Sequence, residues 1–159
     1  MSKLFHFSYE LDGAGWATAR IDHGNVSVDM TASYLHDSLR ELANAVFRIS
    51  RALTAEQRVV FMDEPGEHQL TLTREGGECL YSVQWFDDWD SWGLRTLPGS
   101  TDICCGSVTV QRLVHQVYIA LLSVYEKHGE NGYKEQWIEH EFPSAEMQRL
   151  AGVSDRHPY

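Results

Sequence analysis

The stretch FHFSYELDG, residues 5–13, alternates apolar and polar side chains and then ends in a turn. A period of two is that of a β-strand with one buried face. The same alternation returns over residues 17–21 and 26–30, and turn-forming residues separate the three segments. The sequence therefore predicts an antiparallel meander of three short strands.

A helical period follows this meander. Its apolar residues recur at steps of three or four, namely Leu35, Leu39, Leu42, Val46, Ile49 and Leu53. We expect a helix that begins at Ser33, whose hydroxyl would cap the first turn. We also expect the whole stripe to be buried against the sheet.

The second half of the chain repeats this order. Strands are predicted at residues 59–62, 70–72 and 81–85 and around 103–105, a type II turn at 64–67, a hairpin turn at 75–78 and a loop over 87–100. A mostly buried helix is predicted from Thr109 to His128, ended by Gly129, with short helices over 133–141 and 144–150. We predict a single α+β domain, residues 1–159: an antiparallel sheet of about five to seven strands, two long helices packed on it and short C-terminal helices.

The net charge of −10 is concentrated in the middle of the chain. Residues 61–106 carry nine acidic and two basic side chains. Such a charge repels phosphate backbones and anionic lipid, so we expect no nucleic-acid or membrane partner and favour a basic protein. A solvated acidic face that aids solubility is the alternative. Without an apolar leader or spanning segment, we expect a cytosolic protein.

The three cysteines, Cys79, Cys104 and Cys105, are expected to be free thiols, since their number is odd and two are adjacent. No motif for nucleophilic catalysis, zinc or phosphate binding stands in the sequence, and we expect no cofactor and no metal. Acid–base chemistry by Glu64, Glu67, Asp87 and Asp88 remains an alternative, although carboxylates beside turns are more often solvated.

The stretch WFDDWDSW, residues 85–92, interleaves three tryptophans with three aspartates. Strand alternation places Val83 and Trp85 on the inner face and Phe86 on the opposite one. Trp89 and Trp92 then belong to a loop, either as caps on the core or as part of a recognition surface. We predict a partner-binding surface formed by Glu64, Glu67, Asp87, Asp88, Trp89, Asp90 and Trp92.

The chain also resembles a group of small, largely uncharacterised bacterial proteins that includes immunity proteins encoded beside polymorphic or contact-dependent toxins. The residues that look similar are Ser33-Tyr34-Leu35 with Asp37 and Leu39, Phe61 with Glu64-Pro65-Gly66-Glu67, Leu70, Leu72, Arg74, Val83, Trp85-Phe86, Gly132-Tyr133, Trp137 and Phe142-Pro143. The resemblance implies a cytosolic protein that blocks a toxin by tight binding, and it carries over no catalytic residue.

Our interpretation is an immunity-type binding protein, not an enzyme, that neutralises a basic toxin domain such as a nuclease. A small hydrolase or carbohydrate-binding protein that uses the same acids and tryptophans is the alternative. We expect a monomer or a weak homodimer, and a self-associating protein that buries Trp89 and Trp92 across a two-fold axis is the third interpretation.

Overall fold

The computed structural model describes residues 4–93, 100–138 and 140–156 and has an α+β architecture, as predicted. The elements in chain order are β1 (His6–Gly13), β2 (Trp16–His23), β3 (Val26–Ser33), α1 (Ser38–Arg51), β4 (Thr54–Met62), β5 (Glu67–Glu75), β6 (Glu78–Phe86), β7 (Ser100–Thr109), α2 (Val110–Trp137) and α3 (Ser144–Arg156). Residues 94–99 of the predicted loop over 87–100 lie outside the described residues, as does Glu139 of the predicted short helix.

The strands form two antiparallel sheets in the described part of the chain, so the prediction of one sheet is wrong in this respect. The first sheet has the order β1-β2-β3 and the second has the order β4-β5-β6-β7. The alternation at the start of the chain does produce the predicted meander, with Tyr9 paired to Ala19 and Ala19 to Met30. Helix α1 separates the two sheets along the chain, and its side chains occupy the edge of β4.

Helix α1 begins later than predicted. Ser33 ends β3 and is buried, and its hydroxyl bonds to Glu64 instead of capping the helix. The middle of the predicted stripe is buried as expected, but Leu35 and Leu53 are 37% and 70% exposed because they lie outside the helix. The apolar stripe in the sequence is therefore longer than the helix, by one of its residues at each end.

Helix α2 is interrupted where the sequence indicated. Thr109 caps its start by accepting a hydrogen bond from the amide of Arg112 at 3.1 Å. Gly129 has φ 68° and ψ 177°, which is not helical, and the chain then resumes a helical course to Trp137. Gly129 thus divides a long buried segment from a short helical one, which begins earlier than the helix predicted over 133–141 and ends earlier, at Trp137.

One hydrophobic core joins both sheets and the three helices. Its largest fully buried side chains include Trp137, Phe61, Ile21, Leu121 and Leu150. In the described ranges, no helix combines the length and the apolar composition that crossing a bilayer requires.

The four-stranded sheet has two unlike faces. Its inner face carries Val59, Leu70 and Val83, which are cross-strand neighbours in the main core. Its outer face carries the row Met62, Glu67 and Phe86, which are also cross-strand neighbours. These three side chains are buried, yet Met62 and Phe86 do not belong to the main hydrophobic core. Something other than that core must therefore cover this end of the outer face.

Candidate functional site

The loop that follows β6 forms hydrogen bonds with residues at this end of the sheet. We call residues 87–93 the acidic loop, since Asp87, Asp88 and Asp90 lie in it. Asp90–Trp92 form a single 3₁₀ turn, which is closed by a hydrogen bond from the amide of Gly93 to the carbonyl of Asp90 at 2.9 Å. Side chains of the loop bond back to β5 and to the turn that precedes it.

Glu67 is the main attachment point of the acidic loop. Its side chain has no exposed surface. The carboxylate accepts a hydrogen bond from the Ser91 hydroxyl at 2.7 Å and longer ones from the Ser91 amide at 3.3 and 3.4 Å. Gln69 Nε2 also donates to it at 2.6 Å and to Asp90 Oδ2 at 3.2 Å. These neutral donors satisfy the carboxylate, which is what a buried acid requires.

A second attachment joins Trp89 to the turn before β5. Its indole Nε1 donates to the carbonyl of Asp63 at 2.8 Å. The ring packs edge-on against Trp92 with centroids 4.8 Å apart, and Trp92 itself is 52% exposed. Trp89 is therefore half-buried and attaches the loop to the turn, whereas the indole of Trp92 is exposed to solvent.

Trp85 lies on the inner face beside Val83, as strand alternation predicted. Its ring packs against His68 at 4.8 Å and its Nε1 donates to Asp87 Oδ1 at 2.9 Å. Burial lowers the pKa of His68, and the charge of Asp63 opposes that effect. Nδ1 of His68 is buried without a hydrogen-bond partner in the described residues.

The turn between β4 and β5 differs from the predicted type II turn. Gly66 has φ +87°, as a glycine in such a turn would, but the Glu64–Pro65 peptide bond is cis. A Cβ added at Gly66 would lie 2.5 Å from the Trp85 ring and 2.7 Å from the Phe86 carbonyl oxygen, so the position has no room for a side chain.

This turn also meets the end of the three-stranded sheet. The buried Ser33 hydroxyl donates to Glu64 Oε2 at 2.7 Å. Nearby, His36 Nε2 lies 3.0 Å from Glu41 Oε1, and the amide of Val60 donates to the same oxygen at 2.6 Å. Burial alone would lower the pKa of His36, but the hydrogen bond and charge of Glu41, with the charges of Asp37 and Glu67, raise it above its ordinary value.

The structure brings the predicted site residues to one end of the four-stranded sheet but gives them different exposures. Glu64 and Asp87 are exposed, Asp88, Trp89 and Asp90 are half-buried, and Trp92 is exposed. Glu67 corrects the expectation of a solvated turn carboxylate, because Ser91 and Gln69 cover it. It can therefore hold the acidic loop in place but does not itself face a partner.

Sequence reasoning did not identify Asp63, Gln69 and Ser91 as parts of this site. Gln69 is two residues from Glu67 on the outer face, a polar position that alternation alone would assign to solvent. Only the fold of the acidic loop over the sheet turns these residues into its attachments.

Within the described ranges, no group of three histidine, cysteine, aspartate or glutamate side chains is placed to hold a metal ion. Comparisons with protein-family models, with curated proteins and with solved structures find no match to this chain. The geometry and charge of the site are therefore the basis for a functional conclusion.

Proposed function

We propose that this protein is an immunity-type binding protein that neutralises a basic bacterial toxin domain, such as a nuclease, through the surface around the acidic loop. The observation that supports the proposal most is the exposed indole of Trp92 on a carboxylate-rich loop that is hydrogen-bonded to the sheet. An aromatic side chain with a charged rim is the usual anatomy of a binding hot spot.

The described segments on the β6 and β7 side of this surface carry charge of one sign. Strand β6, the acidic loop and β7 together contain Glu78, Asp87, Asp88, Asp90 and Asp102, and these described segments contain no lysine, arginine or histidine. A field of this kind accelerates encounter with a basic partner and disfavours acidic ones.

The attachments of the acidic loop support binding in a second way. The bonds of Ser91 to Glu67 and of Trp89 to the Asp63 carbonyl tie the loop to β5 and to the turn before it, which restricts its motion. A pre-organised loop loses less conformational entropy on association than a mobile one, so more of the contact energy appears as affinity.

The alternative, a small hydrolase or carbohydrate-binding protein, receives less support from this arrangement. An acid–base catalyst must reach the atom that gains or loses the proton. Glu67 is the buried carboxylate of the site, and the acidic loop separates it from solvent. The exposed acids Glu64 and Asp87 accept hydrogen bonds from Ser33 and Trp85, respectively, which suits structural roles at a rim.

The test is binding kinetics against the protein encoded by the neighbouring reading frame, where an immunity-type protein has its toxin. Asp87→Asn with Asp88→Asn should slow association several-fold and flatten its salt dependence. Glu10→Gln, a change at an exposed acid of β1, is the matched control and should leave the rate unchanged.

Trp92→Ala should mainly accelerate dissociation, by about 30-fold for a hot spot of roughly 2 kcal/mol. Leu53→Ala is its control, since Leu53 is a large apolar side chain that is 70% exposed and lies outside the acidic loop. Absence of a toxin that binds, or equal effects of the Glu10 and Asp87 variants, would reject the proposal.

A further inference from the structure

Two edge strands, β1 and β4, have unpaired backbone groups that bond to helix side chains. At the edge of β1, the amide of Phe7 donates to Gln116 Oε1 at 3.1 Å, and Arg112 Nε donates to the carbonyl of Phe5, next to the strand, at 3.0 Å. Helix α2 supplies both of these side chains.

The edge of β4 is capped in the same manner by α1. The Val60 amide and carbonyl bond to Glu41 and Ser38 at 2.6 and 2.7 Å, respectively. Covering or otherwise protecting such edges is what natural sheets generally do, because unpaired backbone groups invite another strand.

Strand β7 is an edge strand without such a cap in the part of the chain that the structure describes. It pairs with β6 along one side, and no described side chain or backbone group bonds to its other side. Seven of its positions are exposed: Ser100, Thr101, Asp102, Ile103, Cys105, Ser107 and Thr109.

Strand β7 carries little of the usual protection of a free edge. Natural sheets discourage added strands with lysine, proline, inward-pointing charges, β-bulges or very short edges. Strand β7 spans ten residues, contains neither lysine nor proline, and its only charged residue is Asp102. One protective feature is present, a β-bulge opposite Val83 and Gln84.

We propose that the free edge of β7 is a docking site for an extended basic segment of a protein partner, which adds a strand to the four-stranded sheet. The partner's backbone supplies the hydrogen bonds, and its alternate side chains lie beside the two faces of β7. This inference rests on the proposed function, from which the positive charge of the partner is taken. It adds that the partner binds through the backbone of an extended segment.

Two carboxylates on the outer face determine which segment fits this edge. Asp102 pairs with Gln84 and accepts its side-chain amide at 3.0 Å, and Glu78 accepts the Ser107 hydroxyl at 3.0 Å. Their rows, at Glu78 and Gln84, lie six positions apart on β6, which is roughly 20 Å along a strand. The bulge in β7 lies between the two rows, so an added strand that follows it and carries a lysine or arginine on the outer face at each row places cations beside both acids.

A second copy of this chain fits the edge less well. Pairing β7 with its own copy would bring both sets of Asp102 and Glu78 onto the joined sheets, and no basic side chain of β6 or β7 would offset them. Like charges placed close together disfavour that association.

The experiment uses the full-length protein and a capped ten-residue peptide in which lysine alternates with valine. Amide hydrogen exchange is measured residue by residue over Ser100–Thr109. Addition of the peptide should slow exchange at alternate β7 amides by about tenfold or more, because alternate amides of an edge strand point away from the sheet.

Three controls define the mode of binding. The same peptide with two central prolines cannot donate a continuous ladder and should protect nothing. A peptide with glutamate in place of lysine should not bind. The double variant Glu78→Gln, Asp102→Asn should weaken the lysine–valine peptide several-fold and leave the thermal unfolding of the protein nearly unchanged.

Other outcomes overturn the inference. Protection of β7 that rises with protein concentration before any peptide is added would assign the edge to a second copy. Equal protection by the proline peptide, or no protection by the lysine–valine peptide, would reject strand addition. A toxin that is weakened by Trp92→Ala but leaves β7 exchange unchanged would retain the proposed function and reject only this docking mode.

Discussion

The Ser91 hydroxyl donates a hydrogen bond of 2.7 Å to the carboxylate of Glu67, which has no exposed surface. This contact joins the acidic loop to the first residue of β5, 24 positions earlier in the chain. Together with the amide of Gln69, it supplies the donors that allow a carboxylate to remain buried, and it makes the loop part of the sheet's outer surface.

Removing this contact should destabilise the protein. Ser91→Ala leaves Glu67 with one donor fewer and should lower the free energy of unfolding by about 1 kcal/mol. Urea unfolding followed by tryptophan fluorescence measures it, with Ser8→Ala at an exposed position of β1 as the control. In a Glu67→Met background, which removes the acceptor, the Ser91 change should cost clearly less, since the two residues share one interaction. Full additivity would contradict the contact.

Trp89 and Trp92 should differ in their contributions to stability. Trp89→Ala removes a half-buried ring and its bond to the Asp63 carbonyl, and we expect a loss of about 2 kcal/mol. Trp92→Ala removes a side chain that is 52% exposed and should cost about 0.5 kcal/mol. Thermal melts of both variants compare them. Equal losses of stability would mean that Trp92, like Trp89, contributes mainly to the packing of the folded protein.

Gly66 should tolerate substitution much less than Gly76. Both have positive φ, at +87° and +62°, but a Cβ at Gly66 meets Trp85 whereas nothing lies within 4 Å of one at Gly76. Gly76→Ala should cost roughly 1 kcal/mol of backbone strain. Gly66→Ala should cost roughly 1–3 kcal/mol more through overpacking. Equilibrium unfolding of the pair isolates the packing contribution, and similar values would contradict the close approach of Trp85 to Gly66.

His36 should make the protein more stable at mildly acidic pH. Its pKa in the folded protein is raised above the ordinary 6.5, so the folded state binds its proton more tightly than the unfolded chain does. That stability is fully present below pH 6.5 and is lost as pH rises through the folded-state pKa. The difference in unfolding free energy between the protein and His36→Gln should therefore shrink between pH 5 and pH 8, which is roughly the range over which histidines titrate.

The contribution of His68 to stability should change with pH in the opposite direction to that of His36. Burial lowers its pKa, so its contribution is present above pH 6.5 and is lost as pH falls through the folded-state pKa. NMR titration should place the His36 midpoint above 6.5 and the His68 midpoint below it. The reverse order would contradict both environments.

The three thiols should react at different rates in the folded protein. Cys79 is buried and its pKa is raised to about 11 by that burial, whereas Cys105 is exposed on β7. A thiol reagent should modify Cys105 first and Cys79 only after unfolding. The denatured protein without reductant should titrate three thiols, the number in the sequence. Detection of one would indicate a disulfide.

Local periodicity determined the elements of this fold that depend on neighbouring residues. Alternation predicted β1, β2 and β3, and the position of Trp85 beside Val83. Gly129 was identified as the break in the second long helix because its conformational freedom is a property of the residue itself. The spacing of Leu39, Leu42, Val46 and Ile49 likewise predicted the buried face of α1.

Tertiary structure decided what distant segments do together. Strand patterns do not state which edges pair, so the division into two sheets is a tertiary result, in which α1 side chains bond to Val60 at the edge of β4. Leu35 and Leu53 continue the helical period but fall outside the helix and are exposed. Leu35 follows β3, which ends at Ser33, and Leu53 directly precedes β4, which begins at Thr54. Glu67 looks like a solvated turn residue in the sequence, and it is buried because a loop 24 residues later folds over it and supplies the donors. Burial of a charge depends on such long-range partners, which local sequence does not contain.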